Sequence, residues 1–200
     1  MTWQAKSISL KCLIHFTALG FLVSQYYLAI VDKLGGDPVE AIIHFTGIGA
    51  FNLLLLTLLV SPLSKRYKLP WLLKSRRLLG LYTFAYALCH VVNFWAFEIQ
   101  FDISLFLSEL IKRPYITVGL AAFMILFALA ITSFSRLQRA MGKNWLKLHS
   151  FIYIAVLCVA VHFYWSVKSE IIEPSIYILI SLLLLLWRKQ KIKAWFKSFR

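Results

Sequence analysis

Three histidines lie within long apolar stretches of this chain, where a neutral imidazole could bind a metal. They are His90, His149 and His162. Imidazole is the commonest metal ligand among protein side chains. An ionisable group at membrane depth is costly enough to indicate a functional site. We therefore expect these residues to bind haem iron and to support electron transfer across a bilayer.

The composition indicates an integral membrane protein. The chain has 200 residues, of which 60% are hydrophobic and 16% aromatic, and its mean hydropathy is +0.75. No water-soluble domain of this size needs so much apolar surface. The sequence also lacks a dinucleotide-binding fingerprint, a phosphate-binding loop and a nucleophile elbow. We predict an all-α membrane protein in which residues 1–200 form one helical bundle.

Six apolar runs are long enough, or nearly long enough, to cross a bilayer, which takes about 20 helical residues. No A-x-A-like cleavage site follows the first run, so we keep it as an uncleaved helix. The sixth run continues into a basic amphipathic tail at 188–200, which we expect to lie on the inner leaflet. Turn residues, including Pro62 and Pro114, mark the breaks. The predicted spans are 10–31, 43–61, 77–97, 115–134, 148–167 and 174–187.

The charges are sorted by alternate ends of these spans. All 8 acidic residues fall at one end, together with four basic ones, Lys33, Lys112, Arg113 and Lys168. An excess of Lys and Arg in short loops marks the cytoplasmic face. The net charge of +14 therefore indicates two cytoplasmic termini and contact with anionic lipid, not nucleic acid. The other 18 of the 22 basic residues are Lys6, Lys11, Lys65, Arg66, Lys68, Lys74, Arg76, Arg77, Arg136, Arg139, Lys143, Lys147, Arg188, Lys189, Lys191, Lys193, Lys197 and Arg200.

The depths of two histidines match. His90 lies 13 residues after Arg77 in the third span, about 20 Å along the helix axis. His162 lies 14 residues after Leu148 in the fifth span, about 21 Å along the axis. Both spans start at the same membrane face, so the two imidazoles are predicted to clamp one haem towards the periplasm. The three cysteines form no C-x-x-C-H motif, so any haem is held non-covalently.

A second haem site is predicted near the cytoplasmic face. His149 lies at that level in the fifth span, but 13 helical residues place it about 140° away from His162. The two-haem arrangement therefore requires a bend or local rewinding of this helix. The corresponding level of the third span holds Arg76, which cannot ligate iron but can pair with a haem propionate. For His15 and His44 we expect structural, hydrogen-bonded roles.

Several runs resemble a known family. They are KSRRLLGLYTFAYALCH at 74–90, RPYITVG at 113–119, GKNWLKLHSFIYIAVLCVAVHFYWSVK at 142–168, and HFTG at 44–47 after GGDPVE. Across essentially the whole chain the sequence resembles the MsrQ (YedZ) family, the haem-binding membrane subunits of the protein-methionine-sulfoxide reductase system. More distantly, it resembles the transmembrane domain of ferric reductases and NADPH oxidases.

The resemblance implies a b-type cytochrome of the bacterial inner membrane with one or two haems. Its ligands would be His90, His149 and His162, and Arg76 or Arg77 would hold a propionate. Electrons would come from a cytosolic flavin reductase or the quinone pool. They would pass to a periplasmic molybdopterin-containing subunit that repairs oxidised methionines. FMN as a further cofactor rests on the resemblance alone.

Two other functions are compatible with the sequence. The first is a stand-alone membrane enzyme that reduces ferric ions or quinone, although no loop gathers a substrate pocket with a candidate acid or base. The second is a haem-free anchor for a periplasmic enzyme. A colourless purified protein would indicate the anchor, and product formation without any partner would indicate the enzyme.

Overall fold

The structure is a computed structural model and describes residues 2–167 and 170–198. Within those two ranges all regular secondary structure is helical, with no strand. A 3₁₀-helix at Pro70–Ser75 precedes α3, and a π-helical turn at Phe94–Glu98 follows it. The α-helices of the described residues are α1 Trp3–Ile30, α2 Pro38–Arg66, α3 Arg76–Asn93, α4 Ile103–Lys112, α5 Pro114–Ile131, α6 Ser135–Met141, α7 Lys143–His149, α8 Ile152–Ser166, α9 Ile172–Trp187 and α10 Lys189–Lys197.

Five of these segments are long and apolar enough to cross a membrane. They comprise α1, α2, the stretch Pro70–Glu98 around α3, α5, and the stretch Lys143–Ser166 that contains α7 and α8. The shorter apolar helix α9 has 16 residues, or about 24 Å. Five of the predicted spans are thus confirmed as long apolar helices, whereas the count of six and the orientation of the termini stay predictions. The short helices α4 and α6 were not predicted.

Large apolar side chains cover much of the surface, as expected for helices in contact with lipid. Exposed examples come from helices in both halves of the chain: Phe16, Phe21, Ile30, Leu183 and Leu186. A soluble domain would bury such residues, because exposed apolar area is costly in water. In hydrocarbon the same surface carries no such cost.

The helix α2 shows how the sequence sets its boundaries and where the prediction was wrong. Asp37 caps its first turn by accepting from the backbone N–H groups of Val39 (3.0 Å) and Glu40 (2.9 Å). The predicted break at Pro62 does not occur, since α2 continues through this proline to Arg66. An interior proline removes one helical hydrogen bond and costs about 3 kcal/mol. Packing of the buried length of α2 offsets that cost.

The described chain forms two compact units, residues 1–106 and 107–200. In the first unit, α2 and α3 pack along much of their length, and α1 joins them. Phe51, Leu54 and Leu58 of α2 are almost completely buried there. In the second unit, α5 packs on α8 along much of its length, and α9 makes a less extensive contact with α8. Each unit thus contains one closely packed helix pair.

The fifth predicted span is interrupted just after His149. Between α7 and α8, Phe151 N–H donates to the Leu148 carbonyl (3.0 Å), and Tyr153 N–H donates to the Ser150 carbonyl (3.1 Å). These i→i−3 bonds tighten the turn from about 100° to about 120° per residue. The tightening reduces the angular separation of His149 and His162. The two-haem arrangement itself stays a prediction.

The basic tail is only partly the lipid-facing stripe that was predicted. Trp195 of α10 is buried, 7% exposed, and its indole N–H donates to the Lys147 carbonyl at 3.1 Å. Its ring packs edge-on against Phe151, with centroids 5.2 Å apart. Trp195 therefore packs inside the second unit and does not face lipid, because the end of α7 and the following turn offer it both an acceptor and an aromatic surface. Phe196 remains exposed, and Phe199 lies outside the described residues.

We expect Trp195→Ala to lower the free energy of unfolding by about 3 kcal/mol, because it removes a buried aromatic ring and a hydrogen bond. Phe196→Ala is the matched control, since its ring is 63% exposed, and we expect it to stay within about 0.5 kcal/mol of the parent. Denaturant unfolding in detergent micelles measures both. Equal losses in the two variants would contradict the docked position of the tail.

Candidate functional site

His90 is held by the backbone of the facing helix. It lies near the end of α3, half-buried, with Nδ1 2.9 Å from the carbonyl oxygen of Ile43 in α2. A carbonyl oxygen can only accept, so Nδ1 of the neutral ring donates this bond. The bond places the proton on Nδ1 and the lone pair on Nε2, which is the tautomer that binds metal through Nε2.

His162 is held in the same way in the second unit. It lies in α8, half-buried, and Nδ1 donates to the carbonyl oxygen of Tyr115 in α5 at 2.7 Å. The Tyr115 ring lies beside the imidazole, with centroids 5.9 Å apart. Pro114 starts α5, so Tyr115 belongs to the first helical turn. The start of α5 therefore decides which carbonyl faces the imidazole.

The two arrangements share their sequence spacing. In each unit the accepting carbonyl lies 47 residues before its histidine, and a glycine lies one turn after that carbonyl. Gly47 faces the His90 ring and Gly119 faces the His162 ring. Each glycine precedes its histidine by 43 residues, and an offset of 72 residues relates the two sets. The chain therefore builds the same arrangement twice. We call it the histidine seat: an accepting carbonyl (Ile43 or Tyr115), a glycine one turn later (Gly47 or Gly119), and the imidazole that contacts both.

These histidines fit haem iron. A ligating histidine commonly donates its second ring N–H to a backbone carbonyl, which fixes the tautomer and raises ligand basicity. Haem needs only axial imidazoles from the protein. Among residues 2–167 and 170–198, no group of three or more His, Cys, Asp or Glu side chains could hold a bare metal ion. The three cysteines form no disulfide.

His149 has a different setting. It ends α7, and its Nε2 lies 3.0 Å from the Thr132 hydroxyl. Its ring stacks on Trp145 with centroids 4.0 Å apart and an interplanar angle of 27°. The Trp145 indole in turn donates to the Thr132 carbonyl at 2.9 Å. A hydroxyl and an indole thus contact this ring, and its role as a haem ligand stays a prediction.

The two arginines lie at the first turn of α3, where Arg76 is half-buried and Arg77 is exposed. The sequence interpretation placed Arg76 at the level equivalent to His149. The 72-residue offset that relates His90 to His162 instead pairs Arg77 with His149. Contact of either arginine with a propionate stays a prediction.

A buried polar network adjoins His90. Asn93, 3% exposed, accepts from the Tyr26 hydroxyl at 2.9 Å, and its amide nitrogen lies 3.5 Å from the hydroxyl oxygen of Thr46. Thr46 is part of HFTG, so this motif contacts α3 through consecutive residues. The predicted hydrogen-bonded role of His15 is confirmed, with its Nδ1 2.6 Å from the Tyr82 hydroxyl. His44 is exposed.

Sequence reasoning found both histidines but missed their seats. Gly47 and Gly119 were read only as parts of family motifs, and Ile43 and Tyr115 act through backbone atoms that carry no side-chain signature. The detectable signal was the repeated 43-residue separation between glycine and histidine. An internal comparison at an offset of 72 residues would have revealed it.

We expect Tyr26→Phe to lower the free energy of unfolding by about 1 kcal/mol, because the buried Asn93 side chain loses a hydrogen bond. Tyr27→Phe is the neighbouring control, since Tyr27 is exposed, and should leave stability unchanged. Unfolding of both variants in the same detergent measures the difference. An unchanged free energy of unfolding in Tyr26→Phe would show that this network contributes nothing measurable to stability.

Comparison with known proteins identifies relatives along the chain. Residues 46–160 match the family described as "Ferric reductase like transmembrane component". The matched segment includes Gly47, Gly119, His90 and His149, and it ends two residues before His162.

Three similar proteins carry the name protein-methionine-sulfoxide reductase heme-binding subunit MsrQ. The one from Cronobacter sakazakii is 42% identical over 200 residues, covering 99% of this chain and 100% of the relative. The one from an Enterobacter species is 40% identical, covering 98% and 100%. The one from Pectobacterium carotovorum is 42% identical, covering 94% and 95%.

Proposed function

Because this chain belongs to the ferric-reductase-like transmembrane family and, within it, to the MsrQ haem-binding subunits, we propose that it is a b-type cytochrome of the bacterial inner membrane. It is a multi-pass membrane protein. In the proposed function it carries electrons from the cytoplasmic side to a periplasmic methionine sulfoxide reductase. The observation that carries the proposal is the identical anchoring of His90 and His162.

His90 and His162 would hold the haem through their imidazoles. When bound, haem iron supplies a one-electron couple between the ferric and ferrous states. The Ile43 and Tyr115 carbonyls hold each ring in the tautomer that binds iron through Nε2. That both imidazoles bind the same iron stays a prediction, based on the matched depths expected from the sequence.

A second redox group at His149 would divide the crossing into shorter steps. Thirteen helical residues separate His149 from His162, about 20 Å along the axis. The tight turn after α7 supports this site, because it brings the two residues closer to one face of the helix. Arg76 or Arg77 would neutralise a propionate at the same level. FMN as an additional cofactor is supported by the resemblance alone.

The charge distribution supports the direction of transfer. Basic residues gather at the ends assigned to the cytoplasm, where an anionic flavin of a reductase, or quinone, would deliver electrons. The acidic residues lie at the opposite ends, towards the proposed periplasmic partner. That partner would be the molybdopterin-containing catalytic subunit, and two one-electron deliveries with two protons reduce a methionine sulfoxide to methionine and water. This chain would hold no substrate site of its own.

We expect His90→Ala and His162→Ala to remove most of the reduced b-type absorption spectrum, because each loses an axial imidazole. His149→Ala should remove a smaller part, and His44→Ala should keep the parental spectrum. A pyridine haemochrome assay on purified protein gives haem per chain for each variant. Full haem content in His90→Ala or His162→Ala would refute the ligand assignment, and a colourless parent would indicate the haem-free anchor.

Electron delivery is tested by reoxidation of the pre-reduced protein. We expect fast reoxidation only when the periplasmic catalytic subunit and methionine sulfoxide are both present, because neither alone completes the reaction. Stopped-flow absorbance under anaerobic conditions measures the rate. Rapid oxidation by ferric ions or quinone without the partner would indicate a stand-alone reductase instead.

A further inference from the structure

We propose that Gly47 and Gly119 are positioning residues that set the orientation of the two ligand histidines, and so control haem affinity. This inference rests on the proposed haem-binding function. It assigns a role to two residues without functional groups, which act by leaving space for an imidazole against the backbone of the facing helix.

The space at Gly119 is completely used by the His162 ring. A Cβ built on Gly119 would lie 2.6 Å from Nδ1, 2.7 Å from Cε1 and 3.1 Å from Cγ of His162. Carbon atoms in van der Waals contact are about 3.5–4.0 Å apart, so alanine here forces the ring to move. At Gly47 the corresponding distances to His90 are 3.0 Å, 3.1 Å and 3.8 Å. The overlap there is smaller.

The rings cannot move without cost, because each is attached at Nδ1 to a carbonyl one turn before the glycine. The carbonyl fixes the position of Nδ1, and the glycine allows the ring to lie close to the helix backbone. A methyl group at the glycine would push the ring away and lengthen the hydrogen bond. In the low-dielectric surroundings of a membrane helix pair, that bond is stronger than in water. Without that bond, the proton could move to the other ring nitrogen and the ring could adopt other orientations.

The requirement for glycine is steric and not conformational. Gly47 and Gly119 lie inside α2 and α5 and have ordinary helical backbone angles. Gly35 and Gly142, in contrast, have φ of +95° and +51° and occupy turns. Glycine in a helix interior costs about 1 kcal/mol relative to alanine. In both units the residue that contacts the imidazole is nevertheless glycine.

Other glycines of the chain provide matched controls. A Cβ on Gly49, two residues after Gly47, would lie 2.5 Å from the Tyr86 ring, and its three nearest atoms all belong to Tyr86. Gly20 and Gly80 have no atom within 4 Å of such a Cβ. Gly49→Ala therefore reproduces the overlap on another ring of the same helix pair, and Gly80→Ala reproduces the change in helix propensity alone.

The experiment measures haem affinity and the electron paramagnetic resonance spectrum of the ferric protein, which responds to the orientation of axial imidazoles. We expect Gly119→Ala to weaken haem binding by about 10-fold or more, the effect typical of altering a ligand's hydrogen-bonding partner, and to shift the low-spin signal. Gly47→Ala should change both in the same direction by less. Gly49→Ala should lower thermal stability with an unchanged low-spin signal, and Gly80→Ala should match the parent in both readouts.

Parental affinity and signal in Gly119→Ala would overturn the proposal, as would an equal shift in Gly49→Ala, which would indicate general helix packing. If Gly119→Ala does not fold, Gly47→Ala, with its smaller overlap, decides by the same two readouts. Failure here is distinct from failure of the proposed function. In the first case His90→Ala and His162→Ala still lose haem, and in the second they keep it.

Discussion

The structure depends on a hydrogen bond from an imidazole N–H to a backbone carbonyl of a neighbouring helix, made once in each unit. A histidine at membrane depth is costly unless its polar atoms are satisfied. The bond to Ile43 or Tyr115 satisfies one ring nitrogen and gives the other the lone pair that iron requires. It also demands close approach of two helices, which explains why a glycine follows each accepting carbonyl by one turn.

The need to satisfy buried polar groups also explains other local features of the chain. The long helix α2 keeps Pro62 in its interior because its packing against α3 outweighs one lost hydrogen bond. The interruption after His149 creates a tight turn whose Lys147 carbonyl accepts from Trp195 of the tail. Backbone groups in a membrane need internal partners. Departures from regular helix are therefore found here where another part of the same unit can supply one.

The two units repeat the seat but differ at their other ends. At an offset of 72 residues, His90 corresponds to His162, whereas Arg77 corresponds to His149. An imidazole can ligate iron and a guanidinium can only pair with an anion. The repeat thus keeps a histidine at one of these two positions and changes the residue at the other. A difference of this kind suits a carrier whose two ends receive and deliver electrons under different conditions.

The amino-acid sequence by itself determined the membrane class, five long apolar helices and the positions of the histidines along them, because hydropathy and residue spacing along a helix are local properties. It did not reveal the continuation through Pro62, the burial of Trp195, or the carbonyls that hold His90 and His162. Those features depend on which residues of distant helices come into contact, and a backbone carbonyl has no identity in the sequence. Only the tertiary structure decided that Gly47 and Gly119 face the imidazoles, since that assignment requires the packing of α2 on α3 and of α5 on α8.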